Sequence, residues 1–194
     1  MNRRSVLRWM PPALAAAVLV AEGWHTKRPA LALGGELPPL NAPAPAFQLG
    51  GVAPSGDAPG ESQVASLSLE DFAGRWLVLY FYPRDFTSGC TLEARGFQRD
   101  LEAYHQRQAE VVGISTDTLD SHGSFCGEEG LAYPLLSDPR GAVSRLYGSW
   151  LAPSALRHTF LIDPQGVLRA RWVAVRPLHH SQEVLQALNE LQAA

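Results

Sequence analysis

The chain has 194 residues, 46% of them apolar, and a net charge of −3, which suits one domain able to bury its own core and matches neither a disordered acidic tail nor a basic nucleic-acid binder. Residues 1–32 carry Arg3, Arg4, Arg8, Lys27 and Arg28 against Glu22 alone, a local net of +4, so the rest of the chain stands at −7 and contains no lysine. That absence excludes a GxxxxGK[ST] phosphate loop and a Schiff-base or pyridoxal enzyme, and two cysteines are too few for a cysteine-rich zinc site or a disulfide scaffold.

In chain order, the first element is a targeting segment over residues 1–32. Arg3-Arg4 followed by Ser-Val-Leu-Arg8, an apolar stretch over 13–21 and the small-residue end Ala30-Leu31-Ala32 give the charge–apolar–small order of an export signal. The apolar stretch is shorter than the ~20 residues that span a bilayer, so no stable membrane insertion is expected after processing. The arginine pair is similar to a Tat address, which predicts cleavage after Ala32 and a location in a periplasm or, in a cyanobacterium, a thylakoid lumen. A basic tail, disordered or resting on a membrane, is the competing reading. Residues 33–45, with Pro38, Pro39, Pro43 and Pro45, form an extended lead-in without helix.

The domain proper covers 46–194. Residues 50–60 are rich in Gly, Pro and Ser and predict a loop insertion. Residues 77–82 are a continuous apolar run, the pattern of a strand buried on both faces, and 111–115 and 159–162 repeat it. Over 168–172 apolar residues alternate with Arg169 and Arg171, so that strand has one exposed face. Asp163-Pro-Gln-Gly166 is a tight-turn signature that joins the last two strands as an antiparallel hairpin. Cys90, Ala94, Phe97, Leu101 and Tyr104 recur at helical spacing. Residues 121–129 predict a short helix capped by Asp120 or Ser121, and Val184, Leu185, Leu188 and Leu191 give the stripe of a final helix. The order β–α–β–α–β–β–α makes an α/β domain with a central mixed β-sheet flanked by helices.

Residues 82–93 join the most apolar strand to the Cys90 helix, beyond the carboxyl end of a central strand, where open α/β sheets carry their sites. Cys90 falls near the first helical turn, where unpaired N–H groups and the helix dipole favour a thiolate. Thr87 can aim a hydroxyl at the same point, and Pro83 fixes the chain direction. A small buried cysteine on an apolar helix face is the plain alternative.

The pattern Pro83-x-x-x-Thr87-x-x-Cys90 resembles the active-site signature of the peroxiredoxins. The stretch Phe81-Tyr-Pro-Arg-Asp-Phe-Thr-Ser-Gly-Cys-Thr-Leu-Glu-Ala94 is similar to the bacterioferritin-comigratory, or Q-type, branch. Gly113-Ile-Ser, Tyr133-Pro-Leu-Leu-Ser-Asp138 and Arg157-His-Thr-Phe-Leu-Ile-Asp-Pro-Gln-Gly166 extend the resemblance, which runs from Phe47 to Leu191. It implies a thioredoxin-like fold and an antioxidant peroxidase that reduces hydrogen peroxide and organic hydroperoxides, recycled by a thioredoxin-type or other thiol reductant. On that resemblance Cys90 is the peroxidatic cysteine, Thr87 bonds its thiolate and the peroxide, and Pro83 keeps water off. Arg157 is the activating arginine, and Glu93 is an acidic neighbour that orients it.

The chain departs from the branch at Arg95, where many members carry a resolving cysteine five residues after the first. The other cysteine here is Cys126, and some Q-type relatives resolve from that later helix, which implies a Cys90–Cys126 disulfide. Either Cys126 resolves, or it is inert packing in a one-cysteine enzyme. Two other functions compete: a thiol–disulfide oxidoreductase, which normally needs Cys-x-x-Cys and here meets Thr87 instead, and a holdase with a degenerate site. His179-His180 point apart on a helix and His158 should face away from Arg157, so neither metal nor other cofactor is expected. A monomer without nucleic-acid partners is expected.

Overall fold

Trp76–Phe81 is a strand of six buried residues, and the fold is built outward from it. The computed structural model describes residues 31–56 and 59–193. Among these the main sheet has seven strands: β1 (Gln48–Pro54), β2 (Ser62–Ser68), β3 (Trp76–Phe81), β4 (Ala109–Ser115), β5 (Leu135–Ser137), β6 (His158–Ile162) and β7 (Leu168–Trp172), in the spatial order β7-β6-β3-β4-β5-β1-β2. β3, β4 and β5 run parallel and the other neighbours antiparallel, the expected mixed sheet. The helices are α1 (Ser88–His105), α2 (Leu119–Glu129), α3 (Ala142–Leu146) and α4 (His180–Gln192).

The strand period of two explains why β3 shows no alternation. Val78 and Tyr80 face a core shared with Phe97 of α1, Phe125 of α2 and Val184 and Leu188 of α4. Leu77, Leu79 and Phe81 face a second core with Phe47, Tyr147 and Phe160. Both faces are covered, as parallel strands require. The stripe Cys90, Ala94, Phe97, Leu101 and Tyr104 is the buried face of α1, and Tyr104 donates to the Ser181 carbonyl at 2.6 Å, tying α1 to α4. The β6–β7 hairpin turns where expected, with Asp163 Oδ1 accepting from the N–H groups of Gln165 and Val167. His180 is packing rather than surface: its Nε2 meets Thr159 Oγ1 at 2.8 Å.

Two expectations are corrected. Residues 50–60 are not a loop insertion; most of β1 and the approach to β2 lie there, paired from Gln48↔Ser68 to Pro54↔Ser62. Gly51 sits where a Cβ would come within 2.3 Å of the Leu135 carbonyl oxygen, so the loop-like composition reflects close strand approach. α2 begins earlier than expected and its cap is Thr118, whose hydroxyl oxygen accepts from the Ser121 N–H at 3.3 Å. Neither Asp120 nor Ser121 fills that role, since both already lie inside the helix.

The proline-rich lead-in is helix-free and held down. Asn41 and Ala44 donate to the Leu168 and Gly166 carbonyls, and Leu37, Ala44 and Phe47 are buried. Residues 1–30, most of the expected export signal, lie outside the described residues. Among the described residues no helix is long and apolar enough to cross a membrane.

Gly113 on β4 makes room for the core. A Cβ there would lie 2.7 Å from Leu135 Cδ2 and 2.8 Å from the Tyr80 hydroxyl end. Gly113→Ala should therefore lower stability by roughly 1–3 kcal/mol through overpacking, against the usual gain from removing a strand glycine. A urea midpoint unchanged or raised would contradict this.

Candidate active site

At the carboxyl end of β3 the chain stays in the sheet for one more residue, the Tyr82 N–H donating to the Ile114 carbonyl at 3.0 Å. It then turns through half-buried Pro83, buried Asp85 and Phe86, whose φ is +58°. The exposed Phe86 ring leans edge-on against Phe125 of α2 at 5.1 Å. Thr87 is the extended N-cap residue of α1, so Cys90 is the third residue of that helix. Its position among the unpaired N–H groups of the first turn is the expected one.

Cys90 is buried, and the Arg157 guanidinium reaches it. Arg157 comes from the residue before β6, the antiparallel neighbour of β3, and its Nη2 lies 3.2 Å from Cys90 Sγ. Nη1 of the same guanidinium is paired with Glu93 Oε2. Glu93 stands one helical turn after Cys90 on α1, so one planar fork joins both, as a lysine's point charge could not. Burial works against the Arg157 charge, but Glu93 and Cys90 outweigh it and hold its pKa above the usual value.

Glu93 is almost wholly buried, and its Oε1 has no hydrogen-bond partner. Burial raises its carboxyl to about 7, with Arg157 pulling the other way. The folded protein therefore keeps this proton longer than the unfolded chain does. Its contribution to stability is greatest below about pH 4.5 and is lost as pH rises through about 7, by about 3 kcal/mol in all. Glu93→Gln keeps an oxygen acceptor for Arg157 and removes the ionisation. Parent and variant should therefore diverge in urea stability between acid and neutral pH, the parent falling relative to the variant. Parallel curves would remove Glu93 ionisation from the account.

The expected residues are not all at the sulfur. Thr87 is exposed, and its hydroxyl donates to the Arg84 carbonyl at 3.1 Å; the extended N-cap backbone directs it there, and Cys90 Sγ is not its partner. Pro83 follows Tyr82 at the start of the loop. Cys126 is buried on the inner face of α2, in the same core cluster as Cys90, and both are free thiols. Burial first, and the Asp85 carboxylate second, push the Cys126 thiol up to about 12. Arg95 pairs with Glu129, bridging α1 to the end of α2. Among the described residues no group of three or more His, Cys, Asp or Glu side chains gathers as a metal ion would need.

Sequence reasoning missed Asp85 and His122. Asp85 accepts from the Tyr82 hydroxyl at 2.7 Å, the Ser121 hydroxyl at 2.7 Å and His122 Nδ1 at 2.9 Å. Its backbone N–H donates to Asp117 Oδ2 at 2.9 Å. The Cys90 loop is thereby locked onto the start of α2. Asp85 lay inside the quoted motif, but only its burial separates it from a solvated loop aspartate.

The AhpC/TSA family matches this chain over residues 40–171. The chain is 38% identical over 130 residues to peroxiredoxin Bcp of Xanthomonas campestris, covering 62% of this chain and 81% of that one. It is 34% identical over 134 residues to peroxiredoxin Bcp of Bacillus subtilis, 65% and 85% of the two chains. It is 36% identical over 163 residues to the mitochondrial thioredoxin-dependent peroxide reductase of Drosophila melanogaster, 79% and 67% of the two. Among solved structures, reduced 2-Cys peroxiredoxin of Plasmodium vivax superposes with a TM-score of 0.71 at 26% identity, over 79% and 96% of the chains. A PrxQ variant of Xylella fastidiosa gives 0.63 at 34%, over 66% and 84%. The bacterioferritin comigratory protein of Xanthomonas campestris, studied for its alkyl peroxide reduction activity, gives 0.64 at 31%, over 72% and 90%.

Proposed function

The chain belongs to the AhpC/TSA family, as a thiol-dependent peroxidase of the Q-type peroxiredoxin branch on a thioredoxin-like fold, and on that premise we propose that Cys90 is its peroxidatic nucleophile and Cys126 its resolving thiol. The Cys90 thiolate attacks one peroxide oxygen in line, the O–O bond breaks, and water or an alcohol leaves, so that Cys90 becomes a sulfenic acid. Arg157 favours the thiolate and stabilises charge on the departing oxygen, and Glu93 holds its fork in place. Thr87 bonds the bound peroxide by turning its hydroxyl from the Arg84 carbonyl, a rotation a hydroxyl makes freely. Pro83 shields the sulfur from water. The observation that carries this reading is one guanidinium bridging Cys90 Sγ at 3.2 Å and Glu93.

Cys126 then closes a Cys90–Cys126 disulfide, which a thioredoxin-type reductant reopens. The absence of a cysteine at position 95, where Arg95 is committed to Glu129, supports Cys126 in this role. The substrates are hydrogen peroxide and organic hydroperoxides; the alkyl peroxide activity of the Xanthomonas relative supports the latter. Peroxide consumption by the full chain with a thioredoxin system should vanish in Cys90→Ser, and residual turnover would assign the chemistry elsewhere. We propose further that the Arg3-Arg4 signal exports the enzyme to a periplasm or a thylakoid lumen. Mass spectrometry of the exported protein should find residues 1–32 removed, and an intact Met1 end would overturn that assignment.

A further inference from the structure

Resolution poses a chemical problem that the peroxide step does not solve. The attacking species must be a thiolate, yet the buried Cys126 thiol is pushed up to about 12, so the thiol form dominates at neutral pH. Burial is the larger cause of that rise and the neighbouring Asp85 carboxylate the smaller. A base must therefore take the proton as the sulfur attacks.

His122 lies four residues before Cys126 on α2, so both occupy one face of the helix. Helical side chains lean toward the N-terminus, which directs Cys126 back over the turn that carries His122. His122 is fully buried. Its Nδ1 lies 2.9 Å from the Asp85 carboxylate, an acceptor, so in the neutral ring the hydrogen sits on Nδ1 and the Nε2 lone pair is free. That Nε2 is buried and has no hydrogen-bond partner. The other buried ring nitrogen without a partner among the described residues is His158 Nε2, and His158 pairs with Phe81 in register, facing the opposite core. Asp85 is further fixed by the hydroxyls of Tyr82 and Ser121. The arrangement is a carboxylate-oriented imidazole with its basic nitrogen unspent, one helical turn from the resolving thiol.

We propose that the Asp85–His122 pair is the general base of the resolving step. This rests on the assignment of Cys126 as the resolving cysteine. Nε2 takes the Cys126 proton, and the resulting thiolate attacks the sulfur of the Cys90 sulfenic acid. The S–S bond forms, the S–O bond breaks, and hydroxide leaves with the proton returned from Nε2, as water. The Cys126 lone pair becomes the S–S bond and the S–O pair leaves on oxygen, so the oxidation of the Cys126 sulfur balances the reduction of the Cys90 sulfur and no further oxidant is needed. Asp85 belongs to the loop that precedes the Cys90 helix, so the base stays anchored to the element its thiol must reach.

The test is closure of the disulfide in the reduced full-length protein after one equivalent of hydrogen peroxide. It is followed by loss of the sulfenic acid to a trapping carbon nucleophile and by peptide mapping of the bridge. His122→Asn keeps a side-chain N–H where Nδ1 donates to Asp85 and removes Nε2. The rate of closure relative to Cys90 oxidation in the same sample should fall about 10²-fold. Asp85→Asn, which keeps the size but not the charge, should slow closure as well and serves if the first variant does not fold. A purely structural latch gives the opposite sign, because weakening it frees α2 to move and speeds closure. Closure as fast as the parent or faster in both variants overturns the base alone. A parent that forms no 90–126 bridge overturns the resolving assignment itself.

Discussion

Arg157→Ala should slow peroxide reduction by roughly 10²–10³-fold, the usual loss when one preorganised donor is removed from a site of developing charge. The second-order rate constant of peroxide consumption under excess reductant measures it. The argument rests on the fork geometry: Nη2 meets Cys90 Sγ and Nη1 meets Glu93. Without the guanidinium, neither the thiolate nor the oxygen leaving it has a cationic partner. The fold should survive, because the Arg157 carbonyl still accepts from the Val175 N–H and Glu93, already raised to about 7 by burial, can remain protonated. Arg157→Lys should recover only part of the loss, since a single ammonium cannot satisfy both partners at once. A loss below about threefold in the alanine variant would take Arg157 out of the chemistry.

How far the sequence disclosed this site depends on the kind of signal each residue leaves. β3 was legible because six buried residues in a row admit few alternatives, and α1 because its apolar stripe runs for four turns. The position of Cys90 in the first turn followed from those two elements and the motif between them. β1 and β2 were not legible. Gly50, Gly51 and Pro54 read locally as loop, Ser62–Ser68 reads as no element, and their pairing is dictated by partners elsewhere in the chain: β2 for β1, and Leu136 for Gly51. Strand preference is set by such neighbours more than by the residue itself. β5, at three residues, is shorter than any periodic pattern can reveal.

The polar network failed for a different reason. The spacing of His122 and Cys126 is plain in the sequence, but helical spacing alone makes neighbours and not functions. What distinguishes them is burial and the arrival of Asp85 from a loop 37 residues away, a three-dimensional fact with no linear trace. Arg157 shows the converse. Its contact with Cys90 spans 67 positions, yet it was found, because the resemblance supplied a residue type and a place that composition could not.

Cys126→Ser should convert a turning-over enzyme into one that stops after a single equivalent of peroxide. Cys90 can still be oxidised, because Arg157, held by Glu93, reaches it independently of α2. The sulfenic acid then has no internal thiol, and Arg95 occupies the other position from which a neighbour could resolve it. Turnover with a thioredoxin-type reductant should fall by more than tenfold, and mass spectrometry after excess peroxide should show Cys90 as sulfinic acid more readily than in the parent. In the parent, one equivalent should leave no free thiol and a monomeric chain bridged between positions 90 and 126. Bridging demands Cα atoms within about 7 Å, so the start of α1 and the end of α2 should loosen. The bonds that oppose this are Thr91 N–H to the Thr87 carbonyl, Leu131 N–H to the Cys126 carbonyl, and the Arg95–Glu129 pair. Hydrogen exchange over residues 87–95 and 121–129 should accordingly quicken on oxidation. If Cys126→Ser instead turns over like the parent, the resolving thiol comes from outside, and Cys126 serves only to fill the core between α2 and the sheet.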